Sequence, residues 1–129
     1  MRPVELLNGT RGHAGLRAVN HLRAWLHLTV ADVANLTGIA PSTVYWWTDH
    51  PSSVPRPATV DRLLGLEALT SGLVDELGVD GARRWFRFGS PSRLDRLRAD
   101  PLALPVVEAE GYDFLLGQAR KRLLEAGQP

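Results

Sequence analysis

The stretch VADVANLTGIAPSTVYWW, residues 30–47, constrains the fold of this chain more than any other. Two short helices that cross at a steep angle need a small residue at their contact, a glycine where the turn takes positive φ, and apolar anchors in the second helix. Ala34, Gly38, Val44 and Trp47 stand at those places, Ile39 plugs the turn, and Val30 and Val33 face inward. The spacing therefore predicts a helix-turn-helix bounded near Val30 and Asp49. An ordinary helical hairpin would use the same packing.

The surrounding sequence reads as helix throughout. Leu16, Val19, Leu22 and Leu26 recur at three and four residues, which predicts a first helix over about 15–27. Before it, Pro3, Gly9 and Gly12 in residues 1–14 read as a flexible arm carrying Arg2 and Arg11. Thr29 is placed to cap the second helix, with Asp32 in its first turn, where the helix dipole favours a carboxylate. Ala40-Pro41 opens the third helix, and the proline-dense residues 51–57 form a loop.

A long leucine pattern from Val60 to Leu77 ends at Gly78, and Asp80 or Gly81 opens a helix holding Ala82, Trp85 and Phe86. Gly89-Ser90-Pro91 breaks it, with Ser90 as the next cap and Pro91 in the first turn. A short helix with Leu94 and Leu97 follows. Pro101 and Pro105 interrupt the chain again before a last helix that starts at about Val106 or Gly111 and runs to Ala126. No segment alternates apolar and polar residues as a half-buried strand does. The expected fold is all-α: a helix-turn-helix over 15–57, then a small helical part over 58–129.

Composition narrows the function. A formal net charge of +1 gives no overall field toward nucleic acid or acidic lipid, so any anion binding must come from a local patch. The absence of cysteine removes disulfides and thiolate chemistry, and no window has the length of a membrane span, so a cytoplasmic protein is expected. The histidines His13, His21, His27 and His50 lack metal-ligand spacing, and there is neither a nucleophile elbow nor a phosphate loop. Neither an enzyme nor a cofactor is expected.

The second helix of the motif presents Ser42, Thr43, Tyr45 and Trp46 outward as candidate DNA contacts, with Arg11, Arg17, Arg23 and Arg56 on the flanks for phosphates. It contains no arginine, lysine, asparagine or glutamine, the side chains that read bases in pairs of hydrogen bonds. Trp46 is either exposed or packed on the long fourth helix. Further on, GARRWFRFGSPSRLDRLRADP surrounds Trp85, Phe86 and Phe88 with six arginines. It reads either as core aromatics with solvated charges or as a basic docking surface.

The order of these parts, LTVADVANLTGIAPSTVYWWTD, a leucine helix, RRWFRFGSPSRLDRL and an ADPL…EG segment before a last helix, resembles the Xre/MbcA/ParS family of bacterial antitoxins. The family's tryptophan-led helix, Ser-Pro break, proline-leucine step and glycine fall on Trp85, Ser90-Pro91 with Leu94, Pro101-Leu102 and Gly111. The resemblance covers roughly residues 16–125 and implies a helical homodimer that neutralises a cognate toxin, usually an NAD-consuming RES-domain protein, and often represses its own operon. On that reading Arg83, Arg84 and Arg87 form a docking rim, and Glu108, Glu110, Tyr112, Asp113 and Phe114 meet the toxin. The alternative is a free-standing helix-turn-helix regulator without a toxin partner.

Overall fold

The computed structural model describes the backbone of residues 3–50 and 56–127, with side chains from residue 12 onward. The described residues form helices α1 (Pro3–Leu26), α2 (Val30–Thr37), α3 (Pro41–Asp49), α4 (Pro57–Arg87), α5 (Arg93–Ala99) and α6 (Leu104–Ala126), with a 3₁₀ turn at Pro101–Ala103 before α6. Among them there is no strand, only an isolated bridge between Gly89 and Ser92. The chain is all-helical, as its periodicity predicts.

The expected arm is not a separate segment, because α1 already begins at Pro3. Proline is tolerated there since the first N–H groups of a helix have no internal acceptor. Further along α1, Gly15 marks a close approach: a Cβ on it would stand 2.6 Å from Cη2 of Trp47. Of the proline-dense loop, residues 51–55 lie outside the described residues.

α1 ends at His27, whose φ of 57° turns the chain. Thr29 then caps α2 as expected. Its hydroxyl accepts from Asp32 N at 3.1 Å while the Asp32 carboxylate accepts from Thr29 N at 3.0 Å, so two otherwise orphaned donors are satisfied reciprocally. Gly38, at φ 73°, ends α2 by donating to Ala34 O at 2.8 Å. Inside α4 the backbone leaves helical geometry at Gly78, with φ 77° and ψ 169°, so the leucine pattern and the Trp85 segment are two helical stretches joined at a kink.

Two expected boundaries shift. The cap of α5 is Ser92, not Ser90, because only Ser92 has a carboxylate three residues on: it accepts from Asp95 N at 3.0 Å and Asp95 accepts from Ser92 N at 3.2 Å. Pro105 lies in the first turn of α6 and starts that helix instead of interrupting it. Gly111 consequently falls inside α6, where it is buried against the Leu69 side chain.

The elements share one core. Leu22 and Leu26 of α1, Val33 of α2 and Trp47 of α3 join Leu63, Leu66, Leu69, Leu73 and Phe86 of α4, Leu97 of α5 and Val107 of α6. The division at residue 57 is therefore one of sequence order, since α1 packs along α4 and α6 packs on α4 as well.

Candidate partner-binding surfaces

α3 buries Val44 and Trp47, three residues apart, and that fixes its outward side. Ser42, Tyr45 and Trp46 are exposed, Tyr45 by 61% and Trp46 by 52%, and Thr43 is half-buried. Trp46 is thus a surface residue and does not pack on α4. Its ring stacks on His50 at 4.0 Å between centroids, and His50 Nδ1 lies 3.0 Å from Trp46 O. Ser42, Thr43 and Trp46 line an open depression of about 330 Å³.

The flanking arginines are not on this helix. Arg17 is exposed on α1, Arg56 is the residue preceding α4, and Arg23 uses its Nε to donate to Leu28 O at 3.2 Å. The side chain of Arg11 lies outside the described residues. The α3 face therefore combines hydroxyls and aromatic area, and the acidic residue of α3 is Asp49.

Most arginines of the second half work inward. Arg83 donates from Nε to Trp25 O at 2.6 Å and from a terminal nitrogen to Ala24 O at 3.1 Å, and Arg87 donates to Leu26 O at 3.0 Å. The last carbonyls of a helix have no partner within it, and a cation there meets the negative end of the dipole. Arg83 and Arg87 hence cap α1. The partners lie about sixty residues apart in the chain, beyond the reach of local pattern reading.

The carboxylates of α6 are similarly engaged. Glu110 accepts from Arg93 at 2.9 Å and from Arg96 at 2.8 Å. The Arg96 hydrogen bond, opposed by partial burial and reinforced by Arg93, holds the Glu110 carboxyl below its usual range. Glu108 is half-buried beside Gly65, and burial pushes its carboxyl up. Phe114 packs on the core. Of the candidates for a toxin contact, Arg84, Arg87, Tyr112 and Asp113 are exposed, Arg87 while bonded to the end of α1, whereas Arg83, Glu108, Glu110 and Phe114 are half-buried.

A different surface gathers around Trp85. Leu77, Gly81, Arg84, Trp85, Phe88 and Arg93 line an open groove of about 460 Å³. Trp85 meets the buried Phe86 edge to face at 5.0 Å, while the Arg93 guanidinium lies 3.9 Å from the Trp85 ring centre and donates to Trp85 O at 3.0 Å. Gly81 keeps the groove close to the α4 backbone. Phe88 is 78% exposed, immediately after α4. The groove thus has an apolar floor and two guanidinium groups, a combination suited to an apolar side chain flanked by carboxylates. The aromatic cluster in the sequence pointed here, but the roles of Leu77 and Arg93 required the fold.

No helix among the described residues is long and apolar enough to cross a membrane. The chain was compared with protein-family models, with curated proteins and with solved structures, and it matches none of them.

Proposed function

We propose that this chain is a helical interaction protein of the antitoxin type, which binds a toxin through its second half and uses α2 and α3 as a helix-turn-helix able to touch operator DNA. The observation that carries the reading is the groove of Arg84, Trp85, Phe88 and Arg93, with a phenyl ring left in water beside it. Aromatic and arginine side chains gathered on an open surface are the chemistry of protein interfaces. The order of parts that resembles the Xre/MbcA/ParS antitoxins makes a toxin of the RES-domain, NAD-consuming type the partner of choice. Such a partner would insert an apolar side chain against Trp85 and offer carboxylates to Arg84.

The test is co-expression with the product of the adjacent gene. Co-purification and relief of growth arrest are expected, with Phe88→Ala combined with Arg84→Ala weakening the complex at least tenfold and leaving the helical circular dichroism unchanged. If no neighbouring gene product binds the intact chain, the antitoxin reading fails.

The exposed Ser42, Tyr45 and Trp46 support a second reading, a DNA-binding regulator without a toxin. Because α3 lacks base-reading side chains, affinity would come largely from phosphate contacts and fall steeply with salt. Ser42→Ala with Tyr45→Ala should then weaken operator binding without unfolding the protein. Tight binding insensitive to salt and to both substitutions would mean that DNA meets another surface.

A further inference from the structure

The Arg93 side chain is held from three sides. Its Nε donates to Glu110 Oε2 at 2.9 Å, a terminal nitrogen donates to Trp85 O at 3.0 Å, and the guanidinium lies 3.9 Å from the Trp85 ring centre. In that pose it covers one face of the indole and walls the groove that Leu77, Gly81, Arg84 and Phe88 complete. A cation over a ring at the surface gains less than an arginine loses in rotamer freedom when it is fixed there. The Glu110 carboxylate stabilises the pose, since a hydrogen bond between charged groups is about twice as strong as a neutral one.

Glu110 is itself anchored away from the groove. The next residue, Gly111, is buried against Leu69, where a Cβ would overlap the leucine side chain, so α6 lies directly on α4 at this point. The same Glu110 oxygen accepts from Arg96 at 2.8 Å, and two guanidinium groups that would repel one another share one carboxylate. Among the described residues no other acid of α5 or α6 takes that place. Asp95 closes the cap of α5 and pairs with Arg98, Glu108 lies beside Gly65, and Asp113 and Glu125 are exposed. Arg84 is the other guanidinium that lines the groove; it is exposed and has no ion pair among the described residues. Arg87, bonded to the end of α1, does not line it.

We propose that Glu110 is the positioning residue of the Trp85 groove. Through Arg93 it holds the indole and its wall in place before a partner arrives. By occupying Arg93 and Arg96 it leaves Arg84 as the cation of the groove that meets a carboxylate of the partner. The groove therefore takes a segment in which an apolar side chain stands beside one acidic residue, and its preformed shape spares the complex the cost of ordering Arg93. This deepens the toxin reading and rests on it for the partner, but the position of Arg93 over Trp85 is a property of this chain alone.

The indole N–H signals of the four tryptophans in a nitrogen-15 NMR spectrum test the positioning without a partner, Trp85→Phe identifying the signal of Trp85. Glu110→Ala and Arg93→Ala should each shift that signal, with the helical circular dichroism unchanged. Should the Glu110→Ala chain lose its fold, Glu110→Gln, which keeps the shape and an acceptor but not the charge, is read in its place. In binding to the product of the adjacent gene, Glu110→Ala should weaken the complex about fivefold in the intact chain and add nothing in an Arg93→Ala chain. Arg84→Ala should weaken binding without moving the Trp85 signal. Arg96→Ala breaks the same link between α5 and α6 and should leave both readouts as they are, whereas a purely structural ion pair would make it act like Glu110→Ala. A Trp85 signal unmoved by Glu110→Ala, or moved equally by Arg96→Ala, overturns the proposal. So does a partner that binds the Glu110→Ala chain as tightly as the intact one. If no neighbouring gene product binds the intact chain, the toxin reading fails and the tryptophan signals alone decide the positioning.

Discussion

Arg98 reaches Asp32 with two nitrogens, at 2.8 and 3.3 Å, while Asp32 closes the capping box of α2. Burial works against the charge on Asp32, but the Arg98 hydrogen bond, the Thr29 backbone and the Arg98 charge outweigh it and hold the carboxyl below its usual value. A carboxylate whose folded pKa is depressed contributes stability above the unfolded pKa, and that contribution is lost as pH falls through the folded value. Arg98→Ala should therefore cost about 1 kcal/mol near neutral pH, the pair being partly solvated. Its deficit should shrink from about pH 4 downward, as urea denaturation at a series of pH values would show. A deficit independent of pH would mean that Arg98 matters through packing alone. Gly15→Ala probes a different residue-scale constraint. Its Cβ would meet the buried Trp47 ring at 2.6 Å, and relief of that overlap should cost about 1–3 kcal/mol in the same denaturation assay.

At the scale of the element, α4 depends on Gly78, whose φ of 77° and ψ of 169° lie in a region that side chains avoid. Nothing lies within 4 Å of a Cβ placed there, so Gly78→Ala isolates the backbone cost, and a loss of about 1–3 kcal/mol is expected in thermal or chemical unfolding. A neutral substitution would show that the kink relaxes freely into one continuous helix. The break at Gly78 was legible in the sequence, as were the Thr29 cap and the turn at Gly38, because each is specified by chemistry within four residues of chain. Ser92 was legible too, since Asp95 three residues on completes its capping box, yet the neighbouring Ser90-Pro91 offered a competing signal that obscured it. The capping of α1 by Arg83 and Arg87, and the clamp of Arg93 and Arg96 on Glu110, depend on which helices lie side by side. Local periodicity gives no access to that, and Arg83 and Arg87 of the expected docking rim are also bonded to the end of α1. On α6, likewise, only the fold separates the exposed Leu116 and Leu123 from the core-facing Leu104, Val107 and Leu115.

On the scale of the whole molecule, the N-terminal helices and the second half form one core, so loss of one element propagates to the others. Removing α6 would delete the buried Leu104 and Val107 and uncover Leu69, against which Gly111 is packed. Each such side chain contributes about 1.5–3 kcal/mol, and together with the half-buried Phe114 and Leu115 the loss reaches roughly 5 kcal/mol or more, comparable to the whole stability of a small domain. A chain ended after Ala103 should accordingly lose its sharp thermal transition and the fixed near-ultraviolet signal of its tryptophans, including Trp47 far along the sequence. A chain ended after Gly117 makes the complementary case. It keeps Leu104, Val107 and Leu115, and removes a segment in which Leu123 and Leu124 are 74% and 71% exposed. That shorter chain should unfold cooperatively with a midpoint within a few degrees of the full protein, less the small contribution of the surface pair between Arg122 and Glu76. Retention of a sharp transition after removal of all of α6 would show instead that α1 to α5 form a self-sufficient core.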